Sequence, residues 1–556
     1  MDQGLDEHGH GLTGDAQGRG RLALAAIPVA FLGWFFVWPV VRIVERGLRP
    51  DGRWDLSAFG DVLGDAAVRH TIAFTVEQAA ASTVLTLAVG LPGAYVLSRY
   101  SFRGRAAVRA LVTVPFVLPT VVVASAFLAL AGPRGVFGQH IDPAGSLWAI
   151  LVAHVFFNYA VVVRTVGGLW AHLDPAFEDA ARTLGASRWR AFREVTLPLL
   201  QPAIVAAASI TFLFTFTSFG VVVLLGGTRY RTLEVSIVRA TRDLLDLRTA
   251  SVLAIVQLLT VVVLLVVLGR SGERESVRQR LLGAGDVARP PATTGERLLL
   301  AGNLALMALL LGGPLAVLIE RSLHTSTGYG FGFYRALADA PQRAAILVAP
   351  LEAIGNSLAF AAAATVIALI VGGMAAFALE RRSRGEGLLA LGLMLPLGTS
   401  AVTVGFGFLI ALDRPIDLRA SWWLVPCAHA LVAVPFVVRI TLPVLRSIDP
   451  RLREAAAVLG ASPRRVWREV DLPIVRRALG VAAGFAFAIS LGEFGATVLI
   501  ARPDRPTVPV AIFRLLAQPG MAPFGEAMAM SVVLMLLTGT AILVIERFRL
   551  PGSAGL

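Results

Sequence analysis

Lysine is absent from this 556-residue sequence, in which all fifty basic residues are arginine. A phosphate-binding loop of the GxxxxGKS/T type requires a lysine that contacts the terminal phosphates of the nucleotide. The chain therefore has no such loop, and if the protein uses ATP, another polypeptide must bind it. Cysteine is almost absent as well, because Cys427 is the single one. This excludes an intrachain disulfide and a metal site made of four thiolates.

Charged residues are also scarce, at 16% of the chain, while 56% of the residues are hydrophobic and the mean hydropathy is +0.72. A soluble domain could not hide that much apolar surface in one core, so the composition indicates a protein embedded in a lipid bilayer. The net charge of +13 comes from arginines that lie mostly between the apolar runs. Such a distribution is typical of a membrane protein and not of a nucleic-acid partner.

Apolar windows that approach or exceed the length of a bilayer crossing occur twelve times, in two sets of six. The first set lies near 22–44, 71–97, 106–130, 146–168, 199–225 and 249–268, and the second near 298–319, 357–379, 388–411, 421–445, 475–500 and 527–546. We therefore predict an all-α integral membrane protein. Its predicted parts are a polar N-terminal tail (1–20), a first transmembrane half (21–268), a cytoplasmic linker (269–297), a second transmembrane half (298–548) and a C-terminal tail (549–556).

The distribution of arginine predicts which loops face the cytoplasm. The predicted inner loops hold 23 arginines in 105 residues, and the predicted outer segments hold 17 in 135. This difference follows the positive-inside rule and places both termini in the cytoplasm. The first apolar run is too long for the core of a signal peptide and lacks a clear cleavage site, so we expect it to remain as the first span.

The two halves repeat each other at a constant offset of 275 residues. The matched pairs include His154 with His429, Arg164 with Arg439, Asp174-Pro175 with Asp449-Pro450, and Phe219-Gly220 with Phe494-Gly495. A register without gaps over some 85 residues indicates a gene duplication. Six spans in each half, an even number, allow both copies to have the same orientation.

A polar segment is repeated within this register, as "DAARTLGASRWRAFREVTLP" at 179–198 and "EAAAVLGASPRRVWREVDLP" at 454–473. In each copy an Asp-Pro pair predicts the start of a short helix, over 175–184 or 450–459. Gly185 or Gly460 then predicts its end, because glycine favours the left-handed conformation found there. Ser187, or Ser462 with Pro463, is expected to cap a second helix. Two copies of one pattern predict two docking helices for a partner with two-fold symmetry.

The second copy resembles the EAA motif of ATP-binding-cassette (ABC) importer permeases, in which the pattern is EAA, three residues, Gly, nine residues, a branched apolar residue, one more residue and Leu-Pro. The matching residues are Glu454, Ala455, Ala456, Gly460, Val470, Leu472 and Pro473, and in the first copy Ala180, Ala181, Gly185, Val195, Leu197 and Pro198. Asp179 stands in the first copy where glutamate is usual. In that family the segment forms the coupling helix that enters a cleft on each ATPase subunit.

Both halves are fused in one chain, and in this the sequence resembles the permeases for ferric iron and for thiamine. The resemblance implies the type I ABC importer permease fold in the cytoplasmic (inner) membrane of a bacterium. It implies two copies of a cytoplasmic ABC ATPase and an extracytoplasmic solute-binding protein as partners. ATP would be bound by the ATPases and no cofactor by this chain. Thiamine and ferric iron both remain open as cargo.

Polar residues within the spans are candidates for the translocation path. Glu493 in "SLGEFG" could attract a cationic cargo, although a structural role at a helix end is at least as favourable, and its repeat partner is Ser218. His154 and His429 occupy equivalent positions, where they could line the path or hold iron. Hydrogen bonding between helices is the more common role of such residues, and two imidazoles alone make a poor hard-cation site. Asn158 is a further candidate without support from the repeat.

Two other functions compete with an ABC permease. An ion-gradient-driven transporter of twelve helices in two halves has a similar architecture. The segment "GAYVLSRYSFRGR" at 93–105 only superficially resembles a loop motif of that class, since it has no aspartate. Such a transporter also has no need for two EAA segments. An enzyme is not supported, because the sequence has no HExxH, GxSxG or metal-ligand cluster.

Overall fold

The computed structural model describes residues 24–49, 53–138, 145–273, 288–338, 348–380, 386–414 and 417–548. The predicted tails, 1–20 and 549–556, and the central part of the predicted linker, 274–287, lie outside the described residues. The division into these predicted parts therefore stays a prediction.

The described part of the first half consists of helices. They are α1 (Leu24–Leu48), α2 (Ser57–Gly64), α3 (Ala66–Arg99), α4 (Arg105–Val117), α5 (Thr120–Ala131), α6 (Leu147–Trp170), α7 (Ala176–Thr183), α8 (Arg188–Phe216), α9 (Gly220–Leu225), α10 (Leu233–Arg242) and α11 (Leu247–Glu273).

The second half follows the same order, with one short antiparallel hairpin added after its first helix. Its elements are α12 (Thr294–Leu323), β1 (His324–Thr325), β2 (Gly328–Tyr329), α13 (Gly332–Ala336), α14 (Pro350–Ala378), α15 (Glu386–Gly398), α16 (Ala401–Ala411), α17 (Leu424–Arg446), α18 (Pro450–Val458), α19 (Pro463–Gly492), α20 (Thr497–Ile500), α21 (Val508–Leu516) and α22 (Met521–Phe548).

Short polar side chains determine where several of these helices begin. Asp65 accepts a hydrogen bond from the backbone N–H of Ala67 at the start of α3, and Ser400 accepts from two backbone N–H groups at the start of α16. Thr293 and Glu296 form a reciprocal capping box at the start of α12. Each cap satisfies backbone donors that have no partner within the helix.

Ten helices among the described residues are long and apolar enough to cross a membrane, and an eleventh span results if α4 and α5 are counted together. Helices α4 and α5 occupy the predicted window 106–130 but are bent by 102° relative to each other. The predicted window 388–411 is likewise divided between α15 and the shorter α16. The predicted all-α membrane fold is confirmed, with one window of each half broken in the middle.

The repeat extends beyond the segment in which the sequence matches. A five-residue π-helical turn occurs within α1 at Gly33–Val37 and within α12 at Ala308–Gly312, an offset of 275. A second pair of π turns, at Phe192–Thr196 in α8 and Trp467–Asp471 in α19, has the same offset. π turns are rare in proteins and are frequent at functional sites. Their equal register shows that the halves share backbone detail as well as helix order.

The two halves interlock through their first helices. The core of the first half is formed by α3, α6 and α8, and the core of the second half by α14, α17 and α19. Helix α1 packs against α16 of the second half, and the C-terminal part of α12 packs against α5 of the first half. Each half therefore contributes its first span to the broken-helix region of the other.

Candidate functional site

The two short polar helices, α7 and α18, begin in similar ways. Asp174 accepts a hydrogen bond from the backbone N–H of Ala176 at 2.9 Å, and Asp449 accepts from that of Arg451 at 3.0 Å. The next helix in the first copy is capped by Ser187, whose Oγ accepts from the backbone N–H of Arg190 at 3.2 Å. The prediction for Ser462 is wrong in part, because its side chain makes no capping hydrogen bond.

Glycine ends both short helices, as predicted. Gly185 has a φ of +90° and Gly460 a φ of +81°, the left-handed region that other residues rarely adopt. The backbone N–H of Ala186 bonds to the carbonyl of Ala181, and that of Ala461 bonds to the carbonyl of Ala456. This pattern satisfies carbonyl groups that a helix end would otherwise leave unpaired.

The ends of α7 and α18 expose apolar side chains to an unusual degree. Leu184 is 90% exposed and its repeat partner Leu459 is 87% exposed, and Val458 beside it is 88% exposed. Single exposed apolar residues are common on protein surfaces, but here the same position is exposed in both copies. The remaining motif residues also lie at this surface: Asp179, Ala180, Leu197, Pro198, Glu454, Ala455 and Pro473 are exposed, and Ala181, Ala456 and Leu472 are half-buried.

An ion-pair cluster holds α18 against the second half. The Nε of Arg453 donates to Asp471 at 2.6 Å, and its Nη1 donates to Glu380, which follows α14. Burial of the guanidinium lowers its pKa, but the hydrogen bonds to Glu380 and Asp471 outweigh burial, so the pKa of Arg453 is raised. Asp471 belongs to the π turn of α19, so the cluster connects α18 to this turn.

The first half makes the equivalent connection with different chemistry. Glu178 occupies the position equivalent to Arg453, and Thr196 the position equivalent to Asp471. The hydroxyl of Thr196 donates to Glu178 at 3.4 Å. A single 3.4 Å hydrogen bond from a hydroxyl to a carboxylate thus takes the place of two bonds from a guanidinium to two carboxylates. The side-chain connection between the short helix and the π turn is therefore stronger for α18 than for α7.

The two histidines connect helices at equivalent places. The Nδ1 of His154 lies 2.9 Å from the hydroxyl of Ser82 on α3, and its Nε2 lies 2.9 Å from the hydroxyl of Ser218 between α8 and α9. Asn158 donates its amide N–H to the carbonyl oxygen of His154 at 3.0 Å. The imidazole of His154 is fully engaged by hydroxyl groups in this arrangement, as expected for hydrogen bonding between helices.

Glu493 and His429 make the corresponding contact in the second half. Glu493 accepts hydrogen bonds from the backbone N–H groups of Ala496 and Thr497, at 2.8 and 3.1 Å, and from the Thr497 hydroxyl. The Nε2 of His429 lies 3.2 Å from the same carboxylate, and its Nδ1 lies 2.7 Å from the hydroxyl of Ser490. These contacts give Glu493 a structural role at the start of α20. A role in the translocation path stays a prediction for all five candidates.

Two phenylalanines that are equivalent in the repeat touch each other between the halves. The rings of Phe219 and Phe494 are stacked with their centroids 5.1 Å apart, and both side chains are buried. A residue can contact its own repeat partner only close to the pseudo-two-fold axis that relates the halves. The pair therefore lies close to the axis that relates the two halves.

The sequence shows that Phe219 and Phe494 are equivalent in the repeat, but it does not predict that they touch each other. The signal was available, since a path between two equivalent halves must follow their common axis. The Arg453 cluster was also missed, because its acids lie 73 and 18 residues away in sequence. Among the described residues, no group of three or more His, Cys, Asp or Glu side chains is arranged to hold a metal ion.

Comparison with known proteins places these features in context. Residues 86–271 match the family model described as "Binding-protein-dependent transport system inner membrane component". The chain is 27% identical to the thiamine transport system permease protein ThiP of Salmonella typhimurium over 522 residues, which covers 90% of this chain and 92% of the relative. It is also 27% identical to ThiP of Escherichia coli, covering 88% and 90%. A solved bacterial ABC transporter involved in import of the acidic polysaccharide alginate aligns with 47% of this chain at 17% identity, with a TM-score of 0.39.

Proposed function

We propose that the chain is an ABC importer permease that carries thiamine across the cytoplasmic membrane, powered by separate ATPase subunits. The observation that carries the proposal is the pair of repeat-related helices α7 and α18, which end in exposed apolar side chains and a left-handed glycine. Thiamine as the cargo is supported by relatives of that function that match most of the chain.

Helices α7 and α18 are the coupling helices in this proposal. Helix α7 has eight residues and α18 has nine. Isolated helices this short are only marginally stable in water. The exposed Leu184 and Leu459 would become buried in a cleft of a partner, one at each of two equivalent places. Two copies of one ATPase fit this geometry, and they would supply the ATP site for which this chain has no lysine.

Transport in this proposal follows the axis between the halves. With Phe219 and Phe494 stacked, the centre of the path is closed. A solute-binding protein on the outer side would deliver the cargo. ATP binding would draw the two coupling helices together, and the pull on α18 would reach α14 and α19 through Arg453. The halves would then rock apart at the aromatic pair, exposing the path first to one side and then to the other.

Ferric iron is less well supported as the cargo. Both nitrogens of His154 and of His429 already have hydroxyl or carboxylate partners. An ion-gradient-driven transporter is also less well supported, because it provides no reason for two exposed helices of the EAA pattern. Both termini are placed in the cytoplasm in this proposal, according to the arginine distribution of the loops.

Uptake of labelled thiamine and, separately, of labelled ferric iron tests the cargo, in the native host with and without this gene. Loss of thiamine uptake alone is the expected result, and re-expression of the gene should restore it. Loss of iron uptake alone would contradict thiamine as the cargo. Co-purification of an ATPase with the chain tests coupling, and replacement of Leu184 and Leu459 by aspartate should abolish that co-purification.

A further inference from the structure

Glu234 is a fully buried carboxylate at the junction of the two halves. It lies in the first turn of α10, with 0% of its surface exposed. Its Oε2 accepts a hydrogen bond from the hydroxyl of Ser400 at 2.6 Å, and its Oε1 accepts one from the amide of Gln257. Gln257 belongs to α11 of the first half, whereas Ser400 caps α16 of the second half. The carboxylate therefore spans the boundary that must open during transport.

No positive charge balances this carboxylate in the described part of the chain, where its hydrogen-bond donors are the neutral Gln257 and Ser400. Other buried acids differ, since Glu493 has His429 beside it and Asp471 has Arg453. An ionised carboxylate without a countercharge is costly to bury and in a membrane protein indicates function.

Two polar side-chain atoms near the contacts of Glu234 are buried without a hydrogen-bond partner. The carbonyl oxygen of the Gln257 side chain is buried and has no partner, although the same amide donates to Glu234. One turn along α16 from Ser400, the hydroxyl of Thr403 is also buried without a partner, and its residue is 1% exposed. A carboxylate, an amide oxygen and hydroxyl groups together are suited to a cation that also carries N–H donors.

The acid is present in only one of the two equivalent places. The repeat partner of Glu234 is Pro509, in the first turn of α21. A pure packing role would be served by the same residue in both halves, as the Phe219 and Phe494 pair illustrates. One asymmetric carboxylate at the junction of two equivalent halves gives the protein a single site for one charged molecule.

We propose that Glu234, together with Gln257 and Ser400, forms a binding site for an organic cation that opens when the halves part. This inference rests on the proposed function for the statement that the cation is cargo. Thiamine has the required chemistry, since its thiazolium ring carries a fixed positive charge and its aminopyrimidine carries N–H donors. The carboxylate of Glu234 would form an ion pair with the thiazolium ring, and the free side-chain oxygen of Gln257 would accept a hydrogen bond from the amino group.

A labelling experiment tests the cation site independently of the cargo. Cys427, the single cysteine, is replaced by alanine, and Thr403→Cys then places one thiol one helical turn from Ser400. Host membranes supplied with ATP are treated with a cationic (trimethylammonium-ethyl) or an anionic (sulfonatoethyl) methanethiosulfonate, and each rate is divided by the rate with a free thiol. We expect the corrected cation-to-anion ratio to exceed ten and to fall towards one with Glu234→Gln. No labelling in any condition, or a ratio unchanged by Glu234→Gln, would overturn the proposal.

Glu493→Gln in the same labelled background is the matched control, because it removes another buried carboxylate near a helix end. It should leave the ratio unchanged. A ratio that depends on Glu493 instead would assign the cation site to that residue and refute ours.

Import and stability measurements then separate a cargo site from a structural connection between the halves. Glu234→Gln should reduce thiamine import at least tenfold, and Glu234→Asp should restore part of it. The thermal midpoint of Glu234→Gln in detergent should equal or exceed that of the wild type, because the uncompensated charge is gone. A lower midpoint together with lost import would indicate a structural role and contradict the inference. Wild-type cells that import no thiamine would instead contradict the proposed function, while the labelling ratio would still decide on the cation site.

Discussion

Replacement of the two helix-ending glycines provides the sharpest test of the coupling helices. A Cβ atom added at Gly185 or at Gly460 would meet no atom within 4 Å, so neither substitution creates a clash. The cost is backbone strain alone, because the φ values are +90° and +81°. A left-handed conformation costs about 1–2 kcal/mol for an ordinary L-residue, and a β-branched residue is the least tolerant. The two sites are independent, so Gly185→Val with Gly460→Val should cost about 2–4 kcal/mol in total.

This strain should shift the equilibrium between the native and a rearranged helix end by about 30- to 700-fold over both sites. We expect the double valine variant to lose import while its amount in the membrane stays unchanged. The double asparagine variant should import nearly normally, because asparagine tolerates the left-handed conformation. Import of labelled thiamine is measured for both double variants and divided by the amount of each variant in the membrane, determined by immunoblot.

The control for these variants is Gly168→Val. Gly168 also has open space at its Cβ position, but it lies within helix α6 and has no positive φ. This variant should import at close to the wild-type rate. Equal import by the valine and asparagine variants would refute the role of the left-handed helix end, and so would an equally severe defect in Gly168→Val.

Three further predictions concern the remaining contacts. Arg453→Met leaves two acids at the base of α18 without their cation, so it should lower import more than Glu178→Met does in the first half. The number of ATP molecules hydrolysed per imported molecule should rise. Equal effects of the two substitutions would contradict the difference in attachment. Replacement of Phe219 and Phe494 by alanine should raise ATP hydrolysis in the absence of the binding protein, whereas Val162→Ala, a core substitution within one half, should only lower the thermal midpoint. Glu493→Ala should destabilise the protein by about 1–2 kcal/mol through loss of a helix cap, measured by thermal unfolding in detergent, and a midpoint equal to that of the wild type would refute the capping role.

Local features of the structure could be predicted from the sequence because local physics determines them. The ends of α7 and α18 follow from a glycine without a Cβ, and the span positions follow from hydrophobicity over roughly twenty residues. The repeat register followed from residue identities at one offset. Pro119 indicates the break between α4 and α5, because a proline disfavours the helical conformation at the residue before it. The error at Ser462 shows that a suitable residue at a cap position does not always form the bond.

Contacts between distant segments could not be predicted in this way. In the sequence Arg453 is one more charged residue on a polar helix, and only the fold places Glu380 and Asp471 next to it. Glu234 lies in a segment expected to be an outer loop, although the structure buries it between the halves. The sequence contains each of these residues, but their partners depend on how the two bundles dock.

The interlocked first spans have a consequence for the ancestry of the chain. Helix α1 packs on the second half and α12 on the first, and the π turns of both lie at the same register. In an ancestral half that stood alone, the first span would have kept the last helix of its own half as a neighbour but lost its contact with the broken-helix region of the other half. A symmetric dimer of two unfused halves would supply that contact to both first spans, with the π turns at the same register. Fusion in one chain allows the two halves to differ where identical subunits cannot, and the first half has an acid, Glu234, where the second has Pro509.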